Sequence, residues 1–334
     1  MSPHRRAPAH AVQFSSYGGL EVLELVDMAI PTAGPGEVVV EVLAAGINHM
    51  EAYVRQGLFR DELPITLPHG QGSDFAGLVT SIGTGVTSFA RGAEVLGHAV
   101  MSSHANYVVV PQGHLVAKPA ALSWEVAGSL FLAGLAANDA VQAVNVSSGD
   151  VVVVSAAAGG VGSMEAHLAM TKGATVIGTC GERNFDYLRQ IGVKPVVYGD
   201  GLADRIRAIA KGGVDAYIDN FGRDNPDVAT ELGVAPARFR SSEHRRDIEL
   251  QAMRPTAEQA TEHTRVLAKL AGLAADRTVN VLISGFYPLD DVREAFDDLE
   301  KRHARGKIVL GMRPVDNSFH GLGRRKVRDE HERT

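Results

Sequence analysis

A chain of 334 residues is long enough for one large or two ordinary domains, each with a substantial core, and two is the expectation. Hydrophobic residues at 45%, charged residues at 22% and a net charge of −6 describe an ordinary soluble globular protein, with no basic excess for nucleic acid. The single cysteine, Cys180, excludes an intramolecular disulfide framework and a thiolate zinc lobe, so a reducing cytoplasm is the expected compartment.

The opening "MSPHRRAPAH" is basic but has no apolar run behind it, which excludes a signal peptide, and residues 1–10 are expected to be flexible. From about 11 to 125 the chain offers short β-type runs broken by glycine and proline, such as "EVVVEVLAAG", "FAGLVTSIG" and "NYVVVP". The apolar runs near 107–110 and 151–154 are too short to span a bilayer.

From about 126 to 275 the pattern changes. "VVVVSA" is followed by the helical period "GSMEAHLAMTKG", "TVIGT" by "NFDYLRQIG", and "PVVYGD" by "LADRIRAIAKG", with "VDAYIDN" next. Strands alternating with helices imply right-handed βαβ crossovers and a doubly wound parallel sheet. A helix near 289–302 and the strand "GKIVLGM" follow, the strand able to return to the first domain. The polar, charge-dense tail 313–334 is expected to be flexible.

"VVVVSAAAGGVGS", residues 151–163, runs from a buried strand into a sharp turn. Dinucleotide turns need small residues for the bend, for close backbone approach to the pyrophosphate and for helix-to-strand packing. Ala157, Gly159 and Gly162 occupy those places, and the following helix would aim its free N–H groups at phosphate. A plain packing turn is the competing reading. The second strand ends at Thr179 and Cys180 without an acid, and Glu182 and Arg183 follow, so the residues alone give a mixed signal. Arg183, whose fork suits a 2′-phosphate, favours NADP over NAD, unless both are solvated loop charges.

Three stretches together, "AAGINHMEAYVRQG", "GSDFAGLVTSIGTGV" and "SAAAGGVGS", resemble the zinc-independent, zeta-crystallin-like quinone oxidoreductases of the medium-chain dehydrogenase/reductase superfamily. The resemblance runs from about residue 10 to Leu310, and "VAPARFRSSEHRRDIELQAM" is its least family-like part. It implies an α/β chain with two domains: a GroES-like β-rich catalytic domain at 11–125, completed by about 276–312, and a Rossmann NADP-binding domain at 126–275. The cleft would lie where they meet, and homodimers or tetramers are the family's common assemblies.

Where the superfamily's zinc-dependent branch carries a cysteine, this chain has Asn48; where that branch has histidine followed by glutamate, it has Ser73 and Asp74. No metal is expected. His49, His69, His98 and His104 lack the helical spacing of a metal pair and are read as ordinary histidines, with His49 a candidate for the cleft edge.

The resemblance assigns the cofactor phosphates to the backbone of Ala158, Gly159, Gly160, Val161 and Gly162. It places Asn48 at the nicotinamide, Tyr53 at the substrate pocket, and Thr179, Gly181, Arg183 and Tyr198 around the ribose and 2′-phosphate. Lys307 matches the pattern too, with a solvated surface lysine as the alternative. Two departures stand out: Gly181 and Asn184 replace the serine and lysine of the family, and Ala136 replaces a threonine that would help hold the nicotinamide.

Together these features imply an NADPH-dependent reductase that transfers hydride to a quinone or an α,β-unsaturated ketone, with polyketide tailoring as one setting. The acceptor is expected to be a small hydrophobic molecule, with Tyr53 or water as proton donor. A simple ketone or aldehyde reductase, or a non-catalytic NADPH-binding protein, are the alternatives.

Overall fold

The computed structural model describes residues 9–222, 226–302 and 304–312. The expectation of flexibility for 313–334 and for 1–8 lies outside these residues. Ala9 and His10, placed in the flexible stretch, instead open the strand Ala9–Phe14, paired with Met28 and Asp27 across an antiparallel ladder.

The β-rich part is organised around the strand Glu37–Gly46, whose Val38, Val39, Val40, Val42, Ala44 and Ala45 are all buried. Burial of both faces explains the near-continuous apolar run in a strand that would otherwise alternate. It pairs antiparallel with Asp74–Ile82, Tyr107–Pro111 and Lys307–Gly311. Glu94–His98, Leu115–Ala117 and Ile283–Pro288 complete a seven-stranded sheet. The last strand therefore does return to the first sheet, with Leu310 opposite Ala45.

The remaining chain forms a five-stranded parallel sheet in the order Lys194–Val197, Thr175–Cys180, Val151–Val154, Ala216–Ile218, Phe239–Arg240. Val152, Val153 and Val154 are fully buried between helices on the two faces, each contributing roughly 1.5–3 kcal/mol by transfer from water. This is the doubly wound arrangement that the alternating periods predict. At Gly178 an added Cβ would come within 2.6 Å of the Ala157 Cβ, so strand and turn meet with no room for a side chain.

The stretch 236–260, whose conformation periodicity leaves open, folds mainly as the helix Ser242–Ala252. Ser241 caps it, its hydroxyl accepting from the His244 N–H. The helix packs beside Phe131–Ala143 and beside the short helix His49–Arg55 of the β-rich part, so it closes one side of the junction between the two sheets. Among the described residues no helix is long and apolar enough to cross a membrane.

Candidate active site

The glycine turn is built by its neighbours. Ala156 takes a left-handed φ of 48°, and the Thr179 hydroxyl accepts from its N–H at 3.2 Å. The Ala157 N–H donates to the Thr179 carbonyl at 3.0 Å, so the end of the second strand sets the turn's shape. A Cβ at Gly162 would stand 2.5 Å from the Ala156 carbonyl oxygen, which makes glycine obligatory there. The helix Gly160–Thr171 begins at this point, and its first-turn N–H groups have no intrahelical acceptors. Across the junction, the Gly306 N–H donates to the Ala158 carbonyl at 2.9 Å, tying the turn to the loop before the last strand.

A cavity of about 540 Å³ opens over this turn. It is lined by Asn48, Tyr53, Ala158, Gly159, Gly160, Val161, Gly162, Thr179, Gly181, Arg183, Tyr198 and Lys307, while Ala157, the first small residue of the turn, is fully buried and does not line it. His49 lines it too, as its place beside Asn48 led one to expect. Ala136 does not; the neighbouring helix presents Ala133 to the cavity, one turn earlier, and Ala136 faces a small adjoining space beside Glu165 and Asn220.

At one end, the turn Glu182–Asn184 carries Arg183 on the wall. Arg305 braces this turn from below, its Nε donating to Asn184 Oδ1 at 2.9 Å and an Nη to the Arg183 carbonyl at 3.1 Å. Tyr198, 49% exposed, stands with its ring centroid 6.0 Å from that of Phe221, leaving an aromatic edge toward the same end.

At the other end, charge is buried. Lys307 is not a solvated surface lysine. It is almost fully buried, and its Nζ donates to Asn48 Oδ1 and to the Ile47 carbonyl, with Asp74 Oδ2 at 3.7 Å. Asn48 Nδ2 donates to Asp74 Oδ2 at 3.2 Å and to Glu51 Oε1 at 3.1 Å, while Glu51 Oε2 accepts from the Asn48 backbone N–H. Burial pushes Glu51 up to about 7 and Asp74 up to about 6, although the Lys307 ammonium pulls both down. The Asn48 carboxamide is thus locked in one orientation, and no spacing or motif marks Glu51 or Asp74 as its holders.

Tyr53 lies beside this cluster, its ring 6.2 Å from that of His49. Its hydroxyl oxygen accepts from an Arg302 Nη at 2.9 Å, which leaves the phenolic O–H to donate elsewhere. Burial first, and then Arg245, Arg302 and Lys307, hold the His49 imidazole well below its ordinary range, so it is neutral. The wall here mixes Ile47, Ala133 and Leu299 with Arg245, Glu249 and Arg302, a more charged surface than a hydrophobic acceptor pocket would call for. His98 and His104 serve structure: His98 stacks on Phe131 and bonds the Thr264 hydroxyl, and His104 bonds the Gly46 carbonyl. His69 packs against Phe14. Among the described residues no three His, Cys, Asp or Glu side chains gather as metal ligands would.

The chain is similar to several known proteins. It matches the zinc-binding dehydrogenase family over residues 136–310 and the alcohol dehydrogenase GroES-like domain over residues 34–120. A quinone-oxidoreductase homolog of spinach chloroplasts is 33% identical over 198 residues, 56% of this chain and 60% of that protein. The quinone oxidoreductase of Coxiella burnetii superposes with a TM-score of 0.77 at 30% identity, covering 92% of this chain and all of that one. The Escherichia coli quinone oxidoreductase solved with NADPH gives 0.75 at 26% identity, over 91% of this chain and all of that one. The chain belongs to the quinone oxidoreductase family of the medium-chain dehydrogenase/reductase superfamily.

Proposed function

We propose that the protein is an NADPH-dependent reductase acting without zinc on a conjugated carbonyl, a quinone or an α,β-unsaturated ketone. The observation that carries this reading is the convergence on one cavity of the glycine turn, Arg183 and Tyr53. The cradle suits a dinucleotide. Glycine at 160 leaves space that a Cβ would take at 2.9 Å from the Lys307 Cδ, and the open N–H groups of the helix start face that space. Arg183, on the loop after the second strand, would receive a 2′-phosphate, and the bonds from Arg305 that hold the loop's shape support that role. Thr179, Gly181 and Tyr198 would border the adenosine end, and Asn48 the nicotinamide.

A zinc ion does not fit the donor set. The Lys307 ammonium already lies against Asn48 and Asp74, and a second cation there would meet it. NADPH, when bound, supplies the hydride that adds to the β-carbon of the acceptor. The residues of the chain then stabilise and protonate. Tyr53 donates its O–H to the acceptor oxygen as negative charge develops, and the Arg302 N–H on its oxygen polarises that donor. Lys307, Asp74 and Glu51 fix Asn48, and through it the reacting geometry. In this reading the catalytic domain, 11–125 completed by 276–312, would supply Asn48, Tyr53 and Lys307, and 126–275 the cradle. A cytoplasmic homodimer in polyketide tailoring is one setting that suits it.

The test is NADPH and NADH absorbance, followed with metal-stripped protein against a panel of quinones and enones. Oxidation of NADPH giving the saturated ketone or the hydroquinone supports the reading. NADPH binding without turnover of any acceptor supports the non-catalytic alternative.

A further inference from the structure

The helix Ser242–Ala252 brings Arg245 and Glu249 to the cavity wall one turn apart. Their i, i+4 spacing is that of a helix-surface ion pair, but the pair stands open. Arg245 Nε is 4.0 Å from Glu249 Oε1, and among the described residues this buried Nε has no hydrogen-bond partner. A charged donor group without a partner is costly to bury, and because this Nε is closed to the cavity, a ligand on the wall would meet the guanidinium at its remaining N–H groups.

The other cations at this end are engaged. Lys307 is held by Ile47, Asn48 and Asp74, and Arg302 donates to Tyr53. Burial first, and then the charges of Arg245, Arg302 and Lys307, keep His49 neutral, so these three cations gather around one imidazole. Burial pushes Glu249 up from its ordinary value while Arg245 pulls it down, and at 4.0 Å its carboxyl is too far to hydrogen-bond the Arg245 Nε. The two Nη groups of a guanidinium form an end-on fork that matches the two oxygens of a carboxylate.

We propose that the acceptor carries an acidic substituent, a carboxylate, which Arg245 receives while the conjugated carbonyl lies at Tyr53. This rests on reading the cavity as that of an NADPH-dependent carbonyl reductase. The competing occupant of Arg245 is a phosphate of the cofactor itself, and the test separates the two.

The probes are 4-carboxybenzylideneacetone and its primary amide, which share the enone and differ in charge at the far end. Calorimetric titration of the NADP⁺-loaded protein is expected to give acid binding at least about 10-fold tighter than the amide, the worth of a charge-assisted bond. Arg245→Gln is expected to abolish that preference, with NADP⁺ affinity changed by less than about 3-fold, and Arg245→Lys to keep part of it. Equal affinities in the unmodified protein, a comparison that needs no variant to fold, would overturn the proposal. So would a preference that survives Arg245→Gln, or a collapse of NADP⁺ affinity in a folded Arg245→Gln protein. NADPH oxidation, followed in parallel, reports on the reductase reading separately: an acid that binds tightly through Arg245 and is never reduced sinks that reading and leaves the anion site standing.

Discussion

The Lys307 ammonium donates to the side-chain oxygen of Asn48 across 259 residues of sequence, joining the strand Lys307–Gly311 to the start of the helix that carries Tyr53. The same ammonium lies 3.7 Å from Asp74 Oδ2, so it sets a positive charge beside a buried carboxyl while it orients a carboxamide at the cavity wall.

Lys307→Met is therefore expected to cost about 3–5 kcal/mol, because Asp74 and Glu51 would remain buried without their cation. Denaturant unfolding measures it. Adding Asp74→Asn to Lys307→Met should recover part of the loss, since the amide needs no counter-charge, and strictly additive effects would contradict the coupling.

The two glycines of the turn should separate stability from binding. A Cβ at Gly162 meets backbone 2.5 Å away, so Gly162→Ala should destabilise by about 1–3 kcal/mol. At Gly160 a Cβ would meet the held Lys307 Cδ at 2.9 Å and backbone only at 3.3 Å, so Gly160→Ala should cost less stability than Gly162→Ala and lose NADPH affinity. Fluorescence titration and thermal melting of both variants check the contrast.

Arg183→Ala should lower the preference for NADPH over NADH by about 10- to 100-fold, the value of a charge-assisted phosphate contact. Arg305→Ala should move the preference the same way by a smaller factor, because Arg305 holds the loop rather than the phosphate. Paired Kd values for the two cofactors decide it.

Glu165, fully buried with Asn220 donating to one oxygen, is pushed up from 4.5 to about 8 by burial. The folded state then holds the proton more tightly than the unfolded chain. The stability this contributes is full below about pH 4.5 and is lost as pH rises through about 8. Glu165→Gln cannot ionise, so its stability relative to the parent should rise across that window and level off above it. Denaturation midpoints at about pH 5, 7 and 9 test this, and a pH-independent difference would contradict the sign.

The parallel sheet was legible because its strands and helices are local, periodic patterns, and the glycine turn because its spacing is fixed by close backbone approach. The holders of Asn48 were legible only in part. Lys307 was a candidate, but Glu51 and Asp74 were not read as its partners, because nothing periodic links a buried acid to a cation more than 200 residues later. Arg305 looks like any charge near the chain's end until its fork reaches Asn184. The Ser242–Ala252 helix hides in "SSEHRRDIELQA", a polar run whose capping residue at N3 is His244, not the usual glutamate or glutamine. The starting alanines show a milder miss: Ala9 reads as tail, but it pairs into a strand and packs with Val39 and Tyr107.

The most direct test of the central claim is isotopic. NADPH deuterated at C4 of the nicotinamide, in each face in turn, would be given to metal-stripped protein with an enone acceptor and the product analysed by mass. Deuterium from one face on the β-carbon of the saturated ketone is the predicted result. Unlabelled product, or no consumption of NADPH with any quinone or enone, would contradict hydride transfer at this site.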